Sequence, residues 1–311
     1  MSLVGGSAQE KNPGRIRERG AYVDTMSDQE TSAGETTWTS EAAEKWLSWV
    51  DELEKAAAPV RDLLLERANL QPGERVLDVG CGSGPSTAAA AEAVRPHGVV
   101  TGIDIAAPMI AAARQRVRGP GIEWIVGDAE SYPLPQAHYD VIISQFGVMF
   151  FADNAGAFAN LARACRAGGR LIGIVWPTRD KISMFIYLFS SVRQTLDRLG
   201  IPYQEPPLDF GPFSLGDARY VEWLLSDNGW TGVRVEPVER PMTMVGTHTS
   251  SDQQSTAEWL RMGPANALLD GQPEVVYAEA AKDWLQAVKE RVTDQGLRFN
   301  VLLHVITAKR P

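Results

Sequence analysis

The chain has 311 residues, a length that allows one large α/β domain or two small ones. Its apolar content of 44% and charged content of 22% are ordinary for a globular protein, and no apolar run approaches the ~20 residues that span a bilayer. The net charge of −9 argues against a nucleic-acid backbone as the main partner.

Residues 1–36 are polar and lack periodic apolar positions, which predicts a disordered tail without a signal peptide. The two cysteines, Cys81 and Cys165, form no metal or disulfide pattern. We therefore expect a cytoplasmic protein whose folded domain covers residues 37–311.

The segment from Trp38 to Leu70 has a helical pattern, with Trp46, Trp49 and Leu53 on one face. The segment that follows is the most informative of the chain. Residues 76–79 form a short apolar run that predicts a buried strand, and glycines follow at alternate positions. Pro85 suits the first position of an Ala-rich helix, and a second apolar run carries Asp104 near its end.

This strand, turn, helix and strand predict a ligand site. Glycines let a ligand approach the backbone closely, and a helix N-terminus offers free N–H groups and partial positive charge. A carboxylate about twenty residues further on accepts hydrogen bonds from ribose hydroxyls. A purely structural turn is the alternative.

Two ligand classes use this layout. Dinucleotides favour G-x-G-x-x-G, whereas Gly80, Gly82 and Gly84 give G-x-G-x-G. Asp78 would repel a pyrophosphate but would suit an ammonium or a sulfonium. The pattern therefore favours S-adenosylmethionine, and an NAD-dependent oxidoreductase remains the alternative.

The stretch VLDVGCGSG resembles the glycine motif of the class I S-adenosylmethionine-dependent methyltransferases, of the type that acts on small molecules in secondary metabolism. The resemblance implies a doubly wound, Rossmann-like α/β fold. Its seven-stranded sheet would have the order 3-2-1-4-5-7-6, with the last strand antiparallel. A non-catalytic protein that binds S-adenosylmethionine is a further alternative.

The remaining pattern fits that sheet. Strands are predicted over 122–126, 139–144, 171–176, 233–238 and 298–308, with helices between them. Two segments, 181–214 and 241–297, exceed what the sheet needs. We expect them to be lids that shape an acceptor pocket.

The resemblance also implies site residues. Asp128 would lie by the adenine amino group, and Met109 near the adenine ring. Ser144 and Gln145 would border the methionine arm. The full set expected to bind the cofactor is Asp78, Gly80, Cys81, Gly82, Gly84, Asp104, Ile105, Met109, Asp128, Ala129, Ser144 and Gln145. The set expected to line the acceptor pocket is Trp38, Trp46, Phe146, Trp176 and Tyr187.

A sulfonium methyl group is already electrophilic, so holding a small, largely apolar acceptor in line with it supplies most of the rate. A base is needed only for a hydroxyl or an enolisable carbon, and His248, beside a lid, is the candidate. No residues have metal-ligand spacing, so we expect no metal. The expected partner is a small molecule, with no nucleic acid or membrane, and a homodimer is the default assembly.

Replacing Asp104 with alanine is expected to weaken S-adenosylmethionine binding about ten- to a hundred-fold, because a charged hydrogen-bond partner of the ribose is lost. Isothermal titration of wild type and folded Asp104→Ala measures the change. An unchanged affinity would remove Asp104 from the site.

Overall fold

The computed structural model describes residues 38, 40–209, 211–244, 253–293 and 296–311. The tail expected over 1–36 and residues 245–252 of the second expected lid lie outside this range. The helices are α1 (Ser40–Leu47), α2 (Val50–Ala68), α3 (Pro85–Ala93), α4 (Ala107–Arg116), α5 (Asn154–Ala164), α6 (Ser183–Leu199), α7 (Ala218–Asp227), α8 (Gln253–Met262), α9 (Asn266–Leu269) and α10 (Glu274–Val288). The strands are β1 (Arg75–Val79), β2 (Val99–Asp104), β3 (Ile122–Val126), β4 (Tyr139–Gln145), β5 (Cys165–Val175), β6 (Thr231–Met244), β7 (Val292–Thr293) and β8 (Gly296–Lys309).

The long strands form one sheet in the order β3-β2-β1-β4-β5-β8-β6. The pairs from β3 to β5 are parallel, and β8 is antiparallel to both of its neighbours, β5 and β6. The two-residue strand β7 pairs with the start of β8. With β8 as the seventh long strand, this confirms the order and the antiparallel last strand expected from the sequence.

The central strands are apolar because helices cover both faces of the sheet. Val76, Leu77 and Val79 of β1 are at most 2% exposed, as parallel strands buried on both faces require. From α2, Leu63 and Leu64 join the same core. In the part of the chain that is described, no helix combines the length and the apolar character needed to cross a membrane.

The strand β6 is longer than its sequence pattern indicates. It pairs with β8 from Thr231 to Met244, so residues 241–244 belong to the sheet and not to the lid. The predicted strand included Pro237 but ended at residue 238, and the boundary is wrong there because Pro241 argues against continuing a strand. Both prolines are tolerated because β6 is an edge strand, where a missing N–H need not break a ladder.

The sheet changes winding direction between β1 and β4. The chain runs outward from β1 to β2 and β3, then returns to β4 on the other side of β1. In open α/β sheets a crevice forms beyond the carboxyl ends of the strands at such a point, and ligands bind there. The loops after β1 and β4 are therefore where the site is expected.

His304 is a buried titratable group in the sheet. It lies on β8 opposite Val175 of β5 and Pro237 of β6, and it is 5% exposed. Its Nδ1 is buried without a hydrogen-bond partner. Burial lowers the pKa of His304 from 6.5 to about 4, because the charged imidazolium would be poorly solvated.

The free energy of unfolding is expected to decrease as the pH is lowered from 6.5 to about 4. In this range the unfolded chain binds a proton at His304, whereas the folded chain does not. The full shift corresponds to on the order of 3 kcal/mol. Urea unfolding at several pH values should show a shallower pH dependence for His304→Leu than for wild type. His97→Gln, at an exposed histidine, is the control. Equal slopes for His304→Leu and wild type would contradict the assignment.

Candidate active site

The glycine turn after β1 has the backbone conformation that requires glycine. Gly80, Gly82 and Gly84 have φ values of 68°, 54° and 94°. A Cβ added at Gly82 would meet no protein atom within 4 Å, because this side of the turn faces an open cavity. Gly82 is therefore a place where a ligand can reach the backbone.

Asp104 closes the other side of this turn. Its Oδ2 accepts a hydrogen bond from the Gly82 N–H at 2.9 Å, and its Oδ1 accepts one from the Ala106 N–H at 2.9 Å. Burial raises the pKa of Asp104, and the two backbone hydrogen bonds oppose that rise. The carboxylate is half-buried, fixed in orientation and part of the cavity wall, so it can accept hydrogen bonds from ligand hydroxyls.

The glycine turn touches the loop after β4 backbone to backbone. A Cβ on Gly80 would lie 2.6 Å from the Cα of Gly147. A Cβ on Gly147 would lie 2.4 Å from the carbonyl oxygen of Val79 and 2.8 Å from the Cα of Gly80. Glycine at both positions therefore permits the close approach. The sequence reasoning missed Gly147, although a glycine two residues after a strand is a visible signal.

Asp78 does not lie where the sequence-based prediction placed it. The residue is fully buried and is not part of the cavity wall. Its Oδ2 accepts hydrogen bonds from the hydroxyls of Ser86 and Thr87, both at 2.6 Å, and its Oδ1 has no partner. Burial raises the pKa of Asp78 to about 6. Asp78 thus ties β1 to the first turn of α3 and positions the glycine turn from behind.

Two further residues of the expected cofactor set, Gly84 and Ser144, do not line the cavity. A Cβ on Gly84 would lie 2.7 Å from the Trp124 ring, so this glycine serves packing between α3 and the sheet. Ser144 is buried, donates to the Val79 carbonyl at 2.8 Å and accepts from the N–H groups of Gly147 and Val148. It fastens the β4 loop to β1 and does not reach the cavity.

The remaining residues of that set meet in one cavity of about 1070 Å³. They are Gly80, Cys81, Gly82, Asp104, Ile105, Met109, Asp128, Ala129 and Gln145. Ile105, Met109 and Ala129 give this side an apolar slot beside the Asp104 carboxylate. Burial raises the pKa of the Cys81 thiol, so Cys81 is a neutral packing group and not a nucleophile.

Arg61 places a positive charge in the cavity wall. Arg61 on α2 lines the cavity together with Ser83, just before α3, and Pro85, the first residue of α3, and its guanidinium forms a 3.5 Å ion pair with Asp62. Nearby Glu54 accepts from the Ser83 hydroxyl at 2.7 Å and from Arg116 at 3.0 Å. The sequence reasoning missed Arg61, because only the fold brings α2 to the glycine turn.

Another part of the cavity wall is aromatic. Phe146 has a φ of 62°, a strained value for this residue type, and its ring stacks on Trp176 with centroids 4.6 Å apart. Trp176 in turn meets the Phe185 ring edge-on at 5.4 Å. We refer to Phe146, Trp176 and Phe185 as the aromatic wall. The structure thus brings Phe146 and Trp176 together in the cavity wall, and their place in an acceptor pocket stays a prediction.

Helix α1 covers the cavity from outside. Trp38 meets Trp46 edge-on at 5.3 Å and Phe150 at 5.7 Å, and both tryptophans line the cavity. They pack on a small cluster that includes Ala106 and Met109, apart from the main core. The prediction that these tryptophans lie at the pocket agrees with this placement.

Tyr187 lies outside the cavity, so its assignment to the pocket is wrong. Helix α6 turns Met184 and Phe185 towards the cavity, and Tyr187 two residues later is 39% exposed. Its ring lies under Arg291, which also donates to its hydroxyl at 3.0 Å. The candidate base His248 lies outside the described residues.

Residues 76–169 match a protein family described as a methyltransferase domain. This segment contains the glycine turn, Asp104 and the loop after β4, which together build one side of the cavity. Residues 76–169 are thus similar in sequence to methyltransferase domains, and the sheet has the strand order that the resemblance to class I S-adenosylmethionine-dependent methyltransferases implies.

Two curated methyltransferases are similar in sequence to part of this chain. Aklanonic acid methyltransferase DauC of Streptomyces sp. (strain C5) is 39% identical over 116 residues, which cover 36% of this chain and 53% of that protein. Nocamycin O-methyltransferase of Saccharothrix syringae is 39% identical over 122 residues, which cover 38% and 43% respectively. The match thus spans about half the length of these curated relatives.

The fold is also similar to that of a solved methyltransferase. The structure of Haemonchus contortus phosphoethanolamine N-methyltransferase 2 with phosphomonomethylethanolamine and S-adenosylhomocysteine has a TM-score of 0.52 and 17% identity. The similarity covers 89% of this chain and 58% of that chain. Within the described ranges of the methyltransferase fold, no cluster of three or more His, Cys, Asp or Glu residues could hold a metal ion.

The Gly147→Ala change is expected to disrupt the methyltransferase domain, because its Cβ would collide with Val79 and Gly80. Overpacking of this kind costs about 1–3 kcal/mol. We expect a lower free energy of unfolding in urea and a weaker affinity for S-adenosylhomocysteine in calorimetry. Gly173→Ala on β5 is the matched control, since its Cβ meets nothing closer than 3.7 Å. Equal stability and affinity in the two variants would refute the close-contact argument.

Proposed function

We propose that the protein transfers a methyl group from S-adenosylmethionine to a small, largely apolar metabolite of the secondary-metabolite type. One observation carries the proposal: a glycine turn with a fixed carboxylate and an aromatic wall line one and the same cavity. Its volume of about 1070 Å³ is at the upper end of the range for sites that take one drug-sized ligand. That room is consistent with a cofactor and an acceptor side by side.

The cofactor fits the groups on the glycine-turn side. The open space over Gly82 admits a ligand to the backbone, and the Asp104 carboxylate can accept hydrogen bonds from ribose hydroxyls. Ile105, Met109 and Ala129 form an apolar slot for a flat base. Arg61 and the N-terminus of α3 suit the methionine carboxylate.

In this proposal the protein accelerates the reaction mainly by holding the acceptor in line with the methyl group of the cofactor. Bound S-adenosylmethionine would supply an electrophilic methyl group: an acceptor atom in line with the methyl–sulfur bond would bond to the methyl carbon as that bond breaks, and S-adenosylhomocysteine would leave with the electron pair. The aromatic wall and Trp38 exclude water and hold the acceptor flat, and the strained Phe146 is fixed by its stack on Trp176. Among the described residues that line the cavity there is no histidine.

The need for a base depends on the acceptor. An already ionised oxygen or a free amine needs none, whereas a neutral hydroxyl or an enolisable carbon does. We retain His248 as the proposed base for those two classes, because the chain segment 245–252 connects β6 and α8. Both elements contribute residues to the cavity wall.

The relatives support the substrate type. The names of the two curated relatives refer to methyl transfer on aklanonic acid and on nocamycin. A cavity with aromatic and methionine side chains agrees with an acceptor of that apolar kind.

A product-release assay tests the function. The protein is incubated with S-adenosylmethionine and separate panels of phenols, carboxylates, amines and enolisable ketones, and S-adenosylhomocysteine is measured. Turnover within one panel is the expected result and identifies the reacting atom. Failure of calorimetry to detect S-adenosylmethionine binding would exclude the proposal.

Arg61→Gln is expected to weaken S-adenosylmethionine binding about tenfold or more, because a charged partner of the methionine carboxylate is lost. Calorimetry with methylthioadenosine, which lacks that carboxylate, should show equal affinity for variant and wild type. Arg95→Gln is the control, since Arg95 pairs with Glu92 at 3.0 Å outside the cavity wall. If both ligands lose affinity equally, Arg61 acts on the fold and not on the carboxylate.

A further inference from the structure

The lid side of the cavity carries a compact polar unit among apolar neighbours. Trp259 and Met262 of α8 line the cavity, and Arg261 lies between them in sequence and lines it as well. Asn266 at the start of α9 is a fourth lining residue. In the described part of the chain, Arg261 is the lid's single guanidinium in the cavity wall.

A buried tyrosine holds both polar groups. The guanidinium of Arg261 lies over the Tyr277 ring, 3.6 Å from its centroid. The Tyr277 hydroxyl donates to Asn266 Oδ1 at 2.6 Å. Tyr277 is 3% exposed, and burial raises the pKa of its hydroxyl, so it remains a donor. We refer to Arg261, Tyr277 and Asn266 as the arginine–tyrosine–asparagine unit.

This arrangement leaves donors available to the cavity. The side-chain oxygen of Asn266 accepts the hydrogen bond from Tyr277. The two N–H groups of its side-chain amide therefore remain to donate to a ligand. Arg261 also pairs with Glu274, which is 76% exposed and is not part of the cavity wall. An ion pair with so exposed a carboxylate contributes little energy. Because a guanidinium has five N–H donors, Arg261 can pair with Glu274 and still donate hydrogen bonds to a ligand.

We propose that the arginine–tyrosine–asparagine unit binds a carboxylate of the methyl acceptor, so that the preferred substrates are flat apolar molecules carrying an acidic group. This inference rests on the proposed function and deepens it. An Arg fork suits the planar, two-oxygen shape of a carboxylate. In a cavity lined with aromatic rings, such a pair is less screened by water than the pair with Glu274.

The neighbouring charges restrict where the acidic group can lie. Asp270 also lines the cavity, and its backbone N–H donates to the Asn266 carbonyl one turn earlier. Its carboxylate repels a second carboxylate placed next to it. The acidic group is therefore confined to Arg261 and Asn266, and the apolar body of the acceptor extends towards the aromatic wall.

Calorimetry in the presence of saturating S-adenosylhomocysteine tests the inference. The probes are anthraquinone-2-carboxylate and its neutral analogue, anthraquinone-2-carboxamide. Wild type is expected to bind the carboxylate more tightly. Arg261→Gln should lose about ten- to a hundred-fold in affinity for the carboxylate with no change for the carboxamide, and Arg261→Lys should recover part of the loss.

Arg291→Gln is the matched control. Arg291 lies over the Tyr187 ring at 4.6 Å, as Arg261 lies over Tyr277, but it is exposed and outside the cavity wall. It should bind both probes as wild type does. Equal losses for both probes in Arg261→Gln, or no preference for the carboxylate in wild type, would overturn the inference. Failure of the proposed function is distinguishable, since S-adenosylhomocysteine itself would then not bind.

Discussion

The site depends on one close backbone contact, between Gly80 after β1 and Gly147 after β4. No side chain fits between these two loops, so the carboxyl ends of the two central strands meet directly. Ser144 reinforces the contact by bonding to the Val79 carbonyl and to the Gly147 N–H. The crevice forms where the sheet changes winding direction. The contact between the two loops fixes the position of the glycine turn relative to the loop that carries Phe146.

The two sides of the cavity come from different parts of the chain. Local geometry in the β1–α3–β2 unit fixes the Gly82 backbone and the Asp104 carboxylate, and Asp78 supports this unit from inside the core. The aromatic wall combines the strained Phe146 after β4 with Trp176, which directly follows β5, and Phe185 on α6. The residues that we propose for cofactor binding and those that we propose for acceptor choice therefore form separate sets.

The sequence predicted those features that depend on residues close together in the chain. The glycine turn and Asp104 follow from residues close together in the chain, and the strand order follows from the family resemblance that this motif carries. The direction of a side chain is a different matter: Asp78 sits two residues before Gly80, yet it faces α3, and Tyr187 faces away from the cavity two residues after Phe185. Such outcomes depend on packing partners that periodicity does not name.

Residues that reach the site from distant segments were also beyond the sequence. Arg61 comes from a helix before β1, and Arg261 from a lid helix, and neither lies in a motif. Pro241 concealed the length of β6, since a proline argues against a strand unless its edge position is known. In each case the missing information was the tertiary neighbour.

The distribution of tryptophans has a practical consequence. Of the nine in the chain, Trp38, Trp46, Trp176 and Trp259 line the cavity. Trp176 lies flat against Phe146 and is 8% exposed, so a molecule entering beside it replaces water or empty space next to an indole. The protein therefore carries its own optical reporter: occupation of the cavity should alter its intrinsic emission without any attached dye, and replacing these four indoles one at a time would map which part of the cavity a given molecule fills.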